Sequence, residues 1–288
     1  MTQMFQSSDG LHLAYDDAGA RGCPVLLCLA GLTRNMADFE PVLAEFGATA
    51  RILRMDYRGR GRSDYAADHR TYTIPREAQD ALDLLDHLGL DSAAILGTSR
   101  GGLIAMEIAD KAPRRLSGAL LNDIGPIIEL AGLQTIFAYL GQRPGYASYG
   151  EAADKLPAAM APAFVNVPRA TWRAYAERLW RETPDGLDLR YDPRLRDAVL
   201  ADGAQGEITD PWPYFEALVA GRPVGLLRGA NSDLLSAESA AEMRARAPDM
   251  LFAEVPDRGH VPFLDEPEAR ALIADFLGHL DSNATARA

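Results

Sequence analysis

The 288-residue chain is 48% hydrophobic and carries 41 acidic against 29 basic residues, for a formal net charge of −12 and a sequence pI near 4.9. That apolar content is enough for one large α/β domain, or for a core domain with an insertion. The acidic balance excludes nucleic-acid and anionic-membrane partners, whose phosphates are bound by clustered Lys and Arg. The stretch from Met1 to Asp9 has neither a basic nor an apolar leader region, and no segment approaches the roughly 18 apolar residues of a membrane span, so a cytoplasmic location is expected.

In chain order, short apolar runs predict strands at Val25–Leu29, Arg51–Met55, Ala93–Leu96 and Leu116–Leu121. Between them, Ala78, Ala81, Leu82, Leu85 and Leu88 share one face of a helix that spans Pro75 to Leu88 and ends at Gly89. Strand signals stop from about residue 124 to 214, where helical patterns and all three tryptophans, Trp172, Trp180 and Trp212, are found. They resume at Pro223–Leu227 and Leu251–Val255, before a helix from about Glu266 to Leu280 and a frayed tail over residues 282–288. The order of elements predicts an α/β fold with a mostly parallel sheet flanked by helices. Its core comprises residues 1–123 and 215–288, with a helical lid at 124–214. The stripe of Trp172, Tyr175, Ala176, Leu179 and Trp180 reads either as packing against the core or as a substrate wall. Cys23 and Cys28, five residues apart beside or within an apolar run, are read as reduced.

The segment Gly97-Thr98-Ser99-Arg100-Gly101 joins a predicted strand to a predicted helix. A sharp strand-to-helix turn holds such a serine in a strained conformation at the sheet's edge, and small neighbours let the backbone pass. Ser99 is therefore the candidate nucleophile, and the Arg100 N–H, at the helix N-terminus, a candidate oxyanion donor. A hydroxyl needs a base. Of the five histidines, His87 and His279 fall in helical patterns, His12 in an early strand and His69 in a polar loop. His260 follows a C-terminal strand in a loop able to reach over the sheet, which makes it the candidate base.

The imidazole in turn needs a carboxylate, and the usual order for this kind of elbow is serine, acid, histidine. Asp233, in the loop after the penultimate strand, is preferred over the alternative Asp123, at the end of an earlier strand. The second oxyanion donor is expected from Leu32 N–H in Ala30-Gly31-Leu32-Thr33-Arg34-Asn35. Arg34, Trp172 and Trp180 are candidate substrate contacts. The Gly-x-Gly within Asp56 to Asp64 lacks both the third glycine of a dinucleotide loop and the Gly-Lys-Ser/Thr of a P-loop. Cys and His spacings fit no metal site, so neither cofactor nor metal is expected.

Taken together, Gly97–Gly102, Asp56–Asp64, Gly229–Asp233 and Gly259-His260 resemble the α/β-hydrolase superfamily, in its lid-bearing branch of small serine esterases, lactonases and C–C bond hydrolases. The resemblance covers nearly the whole chain. It implies a triad of Ser99, Asp233 and His260, an oxyanion hole at Leu32 and Arg100, and a small acyl substrate cleaved as an ester or lactone. Alternatives on the same frame are a C–C hydrolase, an acyltransferase or a ligand receptor. Two features depart from the family pattern: Ala30 stands where many relatives have His, and Arg100 follows the nucleophile. The Arg100 side chain is either an internal anchor on an Asp or Glu, or a positive charge for an anionic substrate.

Overall fold

The computed structural model describes residues 2–205 and 210–287. In chain order the elements are β1 (Gln3–Gln6), β2 (His12–Gly19), β3 (Val25–Leu29), α1 (Glu40–Phe46), β4 (Arg51–Met55), α2 (Ile74–His87), β5 (Ala93–Thr98), α3 (Arg100–Lys111) and β6 (Leu116–Asn122). Then follow α4 (Leu130–Tyr139), α5 (Tyr149–Ala159), α6 (Arg169–Leu179), β7 (Trp180–Thr183), β8 (Gly186–Leu189), α7 (Leu195–Gln205), α8 (Trp212–Val219), β9 (Val224–Gly229), α9 (Ala237–Arg246), β10 (Leu251–Val255) and α10 (Pro267–Arg287).

Eight strands form one sheet in the order β1-β2-β4-β3-β5-β6-β9-β10. Only β1 with β2 and β2 with β4 run antiparallel; every other neighbouring pair is parallel. The central strands read as unbroken apolar runs because helices cover both faces. One layer packs α2, α3 and α8 against the sheet through Leu84, Leu85, Ile104, Phe215 and Leu218, and the other packs α1 and α10 through Val42, Phe46, Ile273 and Phe276. The Thr73 hydroxyl caps α2, Pro75 sits in its first turn, and Gly89 at φ +64° lets the chain turn away after it.

Three expectations change. The segment between β6 and β9 is not wholly helical, since β7 and β8 pair as an antiparallel hairpin. The boundary expected at residue 214 falls inside α8, which packs on α3 as part of the core layer. The C-terminal helix continues through Arg287, where a frayed tail was expected. Both cysteines are free, and burial pushes the Cys28 thiol well above its ordinary range. No helix among the described residues is long and apolar enough to cross a membrane.

Candidate active site

β5 hands the chain directly into α3, and the residue between them is Ser99, at φ 51° and ψ −115°. Few side-chain-bearing residues adopt such a backbone, so the surroundings must hold it. They do so by close approach. A Cβ on Gly97 would lie 2.5 Å from the Gly101 carbonyl carbon, and one on Gly101 would lie 2.1 Å from the Leu29 carbonyl oxygen. The elbow is thus folded onto itself and onto β3.

His260 arrives from the loop after β10, with Nε2 2.9 Å from Ser99 Oγ and Nδ1 2.7 Å from Asp123 Oδ2. A carboxylate can only accept, so Nδ1 carries the ring proton and Nε2 of the neutral ring accepts from the Ser99 hydroxyl. The expected acid, Asp233, is corrected: Asp123 faces the histidine. The reason lies in strand register. Thr98 pairs with Asn122 on adjacent parallel strands, so Ser99 and Asp123 each stand one residue beyond neighbouring strand ends, and Ser99 N–H donates to Asn122 O at 3.0 Å. Asp123 also has a positive φ, 57°, which Asp tolerates better than most residues. Its carboxylate is fully buried and takes further bonds from Ser232 Oγ at 2.6 Å and Gly229 N–H at 2.8 Å. Asp233 is exposed; it accepts from Thr135 Oγ at 3.1 Å, and its carbonyl accepts Gly132 N–H at 3.0 Å, tying α4 to the core. The end of β9 and the loop after it therefore orient the acid, through Gly229 and Ser232, and do not supply it.

Asn122 fixes the approach of the histidine loop, donating from Nδ2 to Thr98 Oγ and to Pro262 O, each at 3.2 Å. The loop after β3 closes on the elbow: a Cβ on Gly31 would lie 3.7 Å from Ser99 Cβ. Tyr57 Oη donates to Ala30 O at 3.1 Å and Arg60 Nε to Leu32 O at 3.0 Å, which pins both ends of that turn. Arg100 N–H belongs to the first turn of α3, where backbone donors have no intrahelical acceptor.

The Arg100 side chain is an internal anchor. Its Nε donates to Glu77 Oε2 at 2.5 Å and its Nη2 to Tyr72 O at 3.1 Å. Arg60 Nη1 stands 2.8 Å from Glu77 Oε1, so one buried carboxylate joins α2, α3 and the loop after β4. Burial works against the Glu77 charge, but the two guanidiniums outweigh it and hold its pKa below the ordinary value. The Gly-x-Gly segment is structural in the same way, since Arg58 is buried on Asp80 and the Asp56 carboxylate accepts Met36 and Arg62 N–H groups.

Of the expected substrate contacts, Trp172 is buried and packs against Phe164, Tyr175 and Phe263, so it forms the inner core of the inserted segment. Trp180 opens β7 and packs on Tyr146. Arg34 lies beside the elbow, paired with Asp38 at 2.5 and 2.9 Å and covered by the Tyr175 ring at 4.5 Å. The other histidines stand elsewhere: His12 in β2 beside Asp64, His69 in a short turn, His87 at the end of α2 against Tyr15, and His279 in α10 against Asp275 O. No group of three or more His, Cys, Asp or Glu among the described residues is arranged to hold a metal.

Comparison with known proteins places the chain among hydrolases of this fold. A 3-hydroxybutyrate-oligomer hydrolase of Cupriavidus necator is 35% identical over 94% of both chains. A 2-(acetamidomethylene)succinate hydrolase of Mesorhizobium japonicum is 27% identical over 82% of this chain and 81% of its own. The crystal structure of an alpha/beta hydrolase from Novosphingobium aromaticivorans superposes with a TM-score of 0.90 at 36% identity, covering 97% of this chain and 98% of that one. The model of the alpha/beta hydrolase family matches residues 26–271, a span that takes in the elbow, Asp123 and His260, and the chain belongs to that family.

Proposed function

We propose that the chain is a serine hydrolase that cleaves carboxylic esters through an acyl-enzyme, with short esters of hydroxy acids as the substrate class. The single observation that carries this reading is the unbroken chain from buried carboxylate to imidazole to strained hydroxyl, Asp123–His260–Ser99. In it, His260 Nε2 takes the Ser99 proton as Oγ attacks the ester carbonyl carbon. Asp123 holds the ring in the required tautomer and stabilises the imidazolium. The N–H groups of Leu32 and Arg100 receive the oxyanion. His260 then returns the proton to the departing alcohol, and water activated by the same nitrogen releases the acid and frees Ser99.

The nucleophile is Ser, and the acyl-enzyme follows from that. The residues between β6 and β9 act as a cap over the site, supported by Tyr175 lying on Arg34 and by Phe164 stacking on Phe263, three residues past His260. The hydroxy-acid class comes from the relative named for 3-hydroxybutyrate oligomers, which matches nearly the whole chain. Hydrolysis of p-nitrophenyl acetate and of the linear 3-hydroxybutyrate dimer tests the reading. Wild type turns both over, and Ser99→Ala lowers kcat by about 10⁴ or more. Activity that survives in Ser99→Ala contradicts it.

A further inference from the structure

Arg34 stands closer to the nucleophile than its position in a surface-connecting loop suggests. Its Cγ and the Cβ of Ser99 lie 3.2 and 3.7 Å from the point that a Cβ on Gly31 would occupy. The guanidinium is clamped. Asp38 takes its Nε–H and one Nη2–H, and the Tyr175 ring covers its face. A narrow gap lined by Arg34, Asp38, Thr98, Arg178 and Phe263 lies on one side of it. Burial opposes its charge, but Asp38 more than restores it, and the group stays cationic.

Two phenols reach the same place. Tyr175 lays its ring on the Arg34 guanidinium, and Tyr139, at the end of α4, lies beside Arg34 and Thr33 of the oxyanion loop. Tyr139 keeps 48% of its surface exposed, while burial pushes the pKa of its hydroxyl up. A planar guanidinium fixed along one edge by a carboxylate and on one face by an aromatic ring is pre-organised for a planar anion with two acceptor oxygens. The chain's net charge of −12 repels anions at long range, which makes a local cation beside Ser99 the more consequential.

We propose that Arg34, held by Asp38 and Tyr175 and assisted by Tyr139, binds a carboxylate of the substrate, so that the ester cleaved is the one a few bonds from a free carboxylate. For a hydroxy-acid oligomer this selects the ester at the carboxyl end and releases one monomer per turnover. The assignment deepens the serine-hydrolase reading and rests on it for the position of the scissile bond.

The test compares the 3-hydroxybutyrate dimer as free acid with its methyl ester at the carboxyl end. Turnover by wild type is measured alongside calorimetric binding to Ser99→Ala, which needs no catalysis. The free acid is expected to be preferred about ten- to a hundredfold in kcat/KM and in binding, the range set by charge-assisted hydrogen bonds. Arg34→Met should collapse that ratio mainly through KM, and Arg34→Lys should keep part of it. The double variant Arg34→Met/Asp38→Asn avoids a stranded buried carboxylate and should show the same collapse with unfolding like that of wild type. Equal handling of acid and methyl ester by wild type, binding of neither by Ser99→Ala, or a ratio that survives Arg34→Met would overturn the proposal. Preferential binding of the acid without turnover would instead retire the catalytic reading and leave the carboxylate site standing.

Discussion

Asp123 and Asp233 differ in what their neighbours can give them. Asp123 is fully buried, with three donors arranged around two oxygens, and one of those donors is the His260 imidazole. Asp233 is exposed, and its carboxylate meets a threonine of α4. Asp123→Asn should therefore lower kcat by about 10⁴, because an amide can donate to His260 and favour the wrong tautomer. Asp233→Asn should leave kcat within a few-fold of wild type. Steady-state kinetics of the two variants on one p-nitrophenyl ester checks both statements, and a larger loss in Asp233→Asn would reverse the assignment. Ser99 and His260 were legible because each sits in a short local pattern that only one residue of its type satisfies. The acid was not, since chain order is shared by both candidates. What decides is that Asn122 and Thr98 are partners in register, a non-local fact. The signal was present in the parallel form of Gly97-Thr98-Ser99 and Leu121-Asn122-Asp123, two strand ends with the functional residue one step beyond.

At the scale of elements, the elbow is held from behind by α2. Glu77 reaches Arg100 at the start of α3 and Arg60, whose Nε in turn holds Leu32 O of the oxyanion loop. One buried carboxylate thus positions both ends of the expected oxyanion hole. Replacing it leaves two guanidiniums buried without their counter-charge, so Glu77→Ala should cost about 3–5 kcal/mol of stability. Denaturant unfolding measures this, and a loss under 1 kcal/mol would show that the cluster is not a clamp. Strands with continuous apolar runs and the amphipathic α2 were readable from residue pattern, because burial on two faces or one leaves a direct trace in sequence. The hairpin of β7 and β8 was not read, since each strand has only four residues and carries charge. Its turn did leave a mark: Pro184-Asp185-Gly186 supplies a fixed φ, a turn-favouring carboxylate and a glycine at φ +100°.

Across the whole molecule, the inserted segment is fastened on two sides. On one, Gly61 N–H donates to Arg190 O and Asp192 N–H to Gly59 O, while Tyr72 Oη donates to Asp192 Oδ2 at 2.7 Å and accepts Ala66 N–H at 3.0 Å. On the other, Glu129 and Gly132 N–H groups donate to the carbonyls of Leu234 and Asp233. Tyr72→Phe strands the Ala66 N–H and removes a charge-assisted bond across the seam. It should cost about 1–3 kcal/mol, read as a lowered Tm, together with a rise in KM as the segment between β6 and β9 loses its seating. An unchanged Tm would mean that the seam carries no stability. A long connection between β6 and β9 was expected from a gap in strand signals, but the expected boundary cut α8, because its apolar face, Phe215 and Leu218, looks the same whether it packs on the core or within an insertion.

The account stands on Ser99 forming a covalent acyl intermediate that water resolves. Rapid-quench mass spectrometry during turnover of a p-nitrophenyl ester tests this directly. The predicted result is a transient mass increase equal to the acyl group, mapped to the peptide that carries Ser99 and absent in Ser99→Ala. Turnover with no adduct, or with an adduct on another residue, would contradict it.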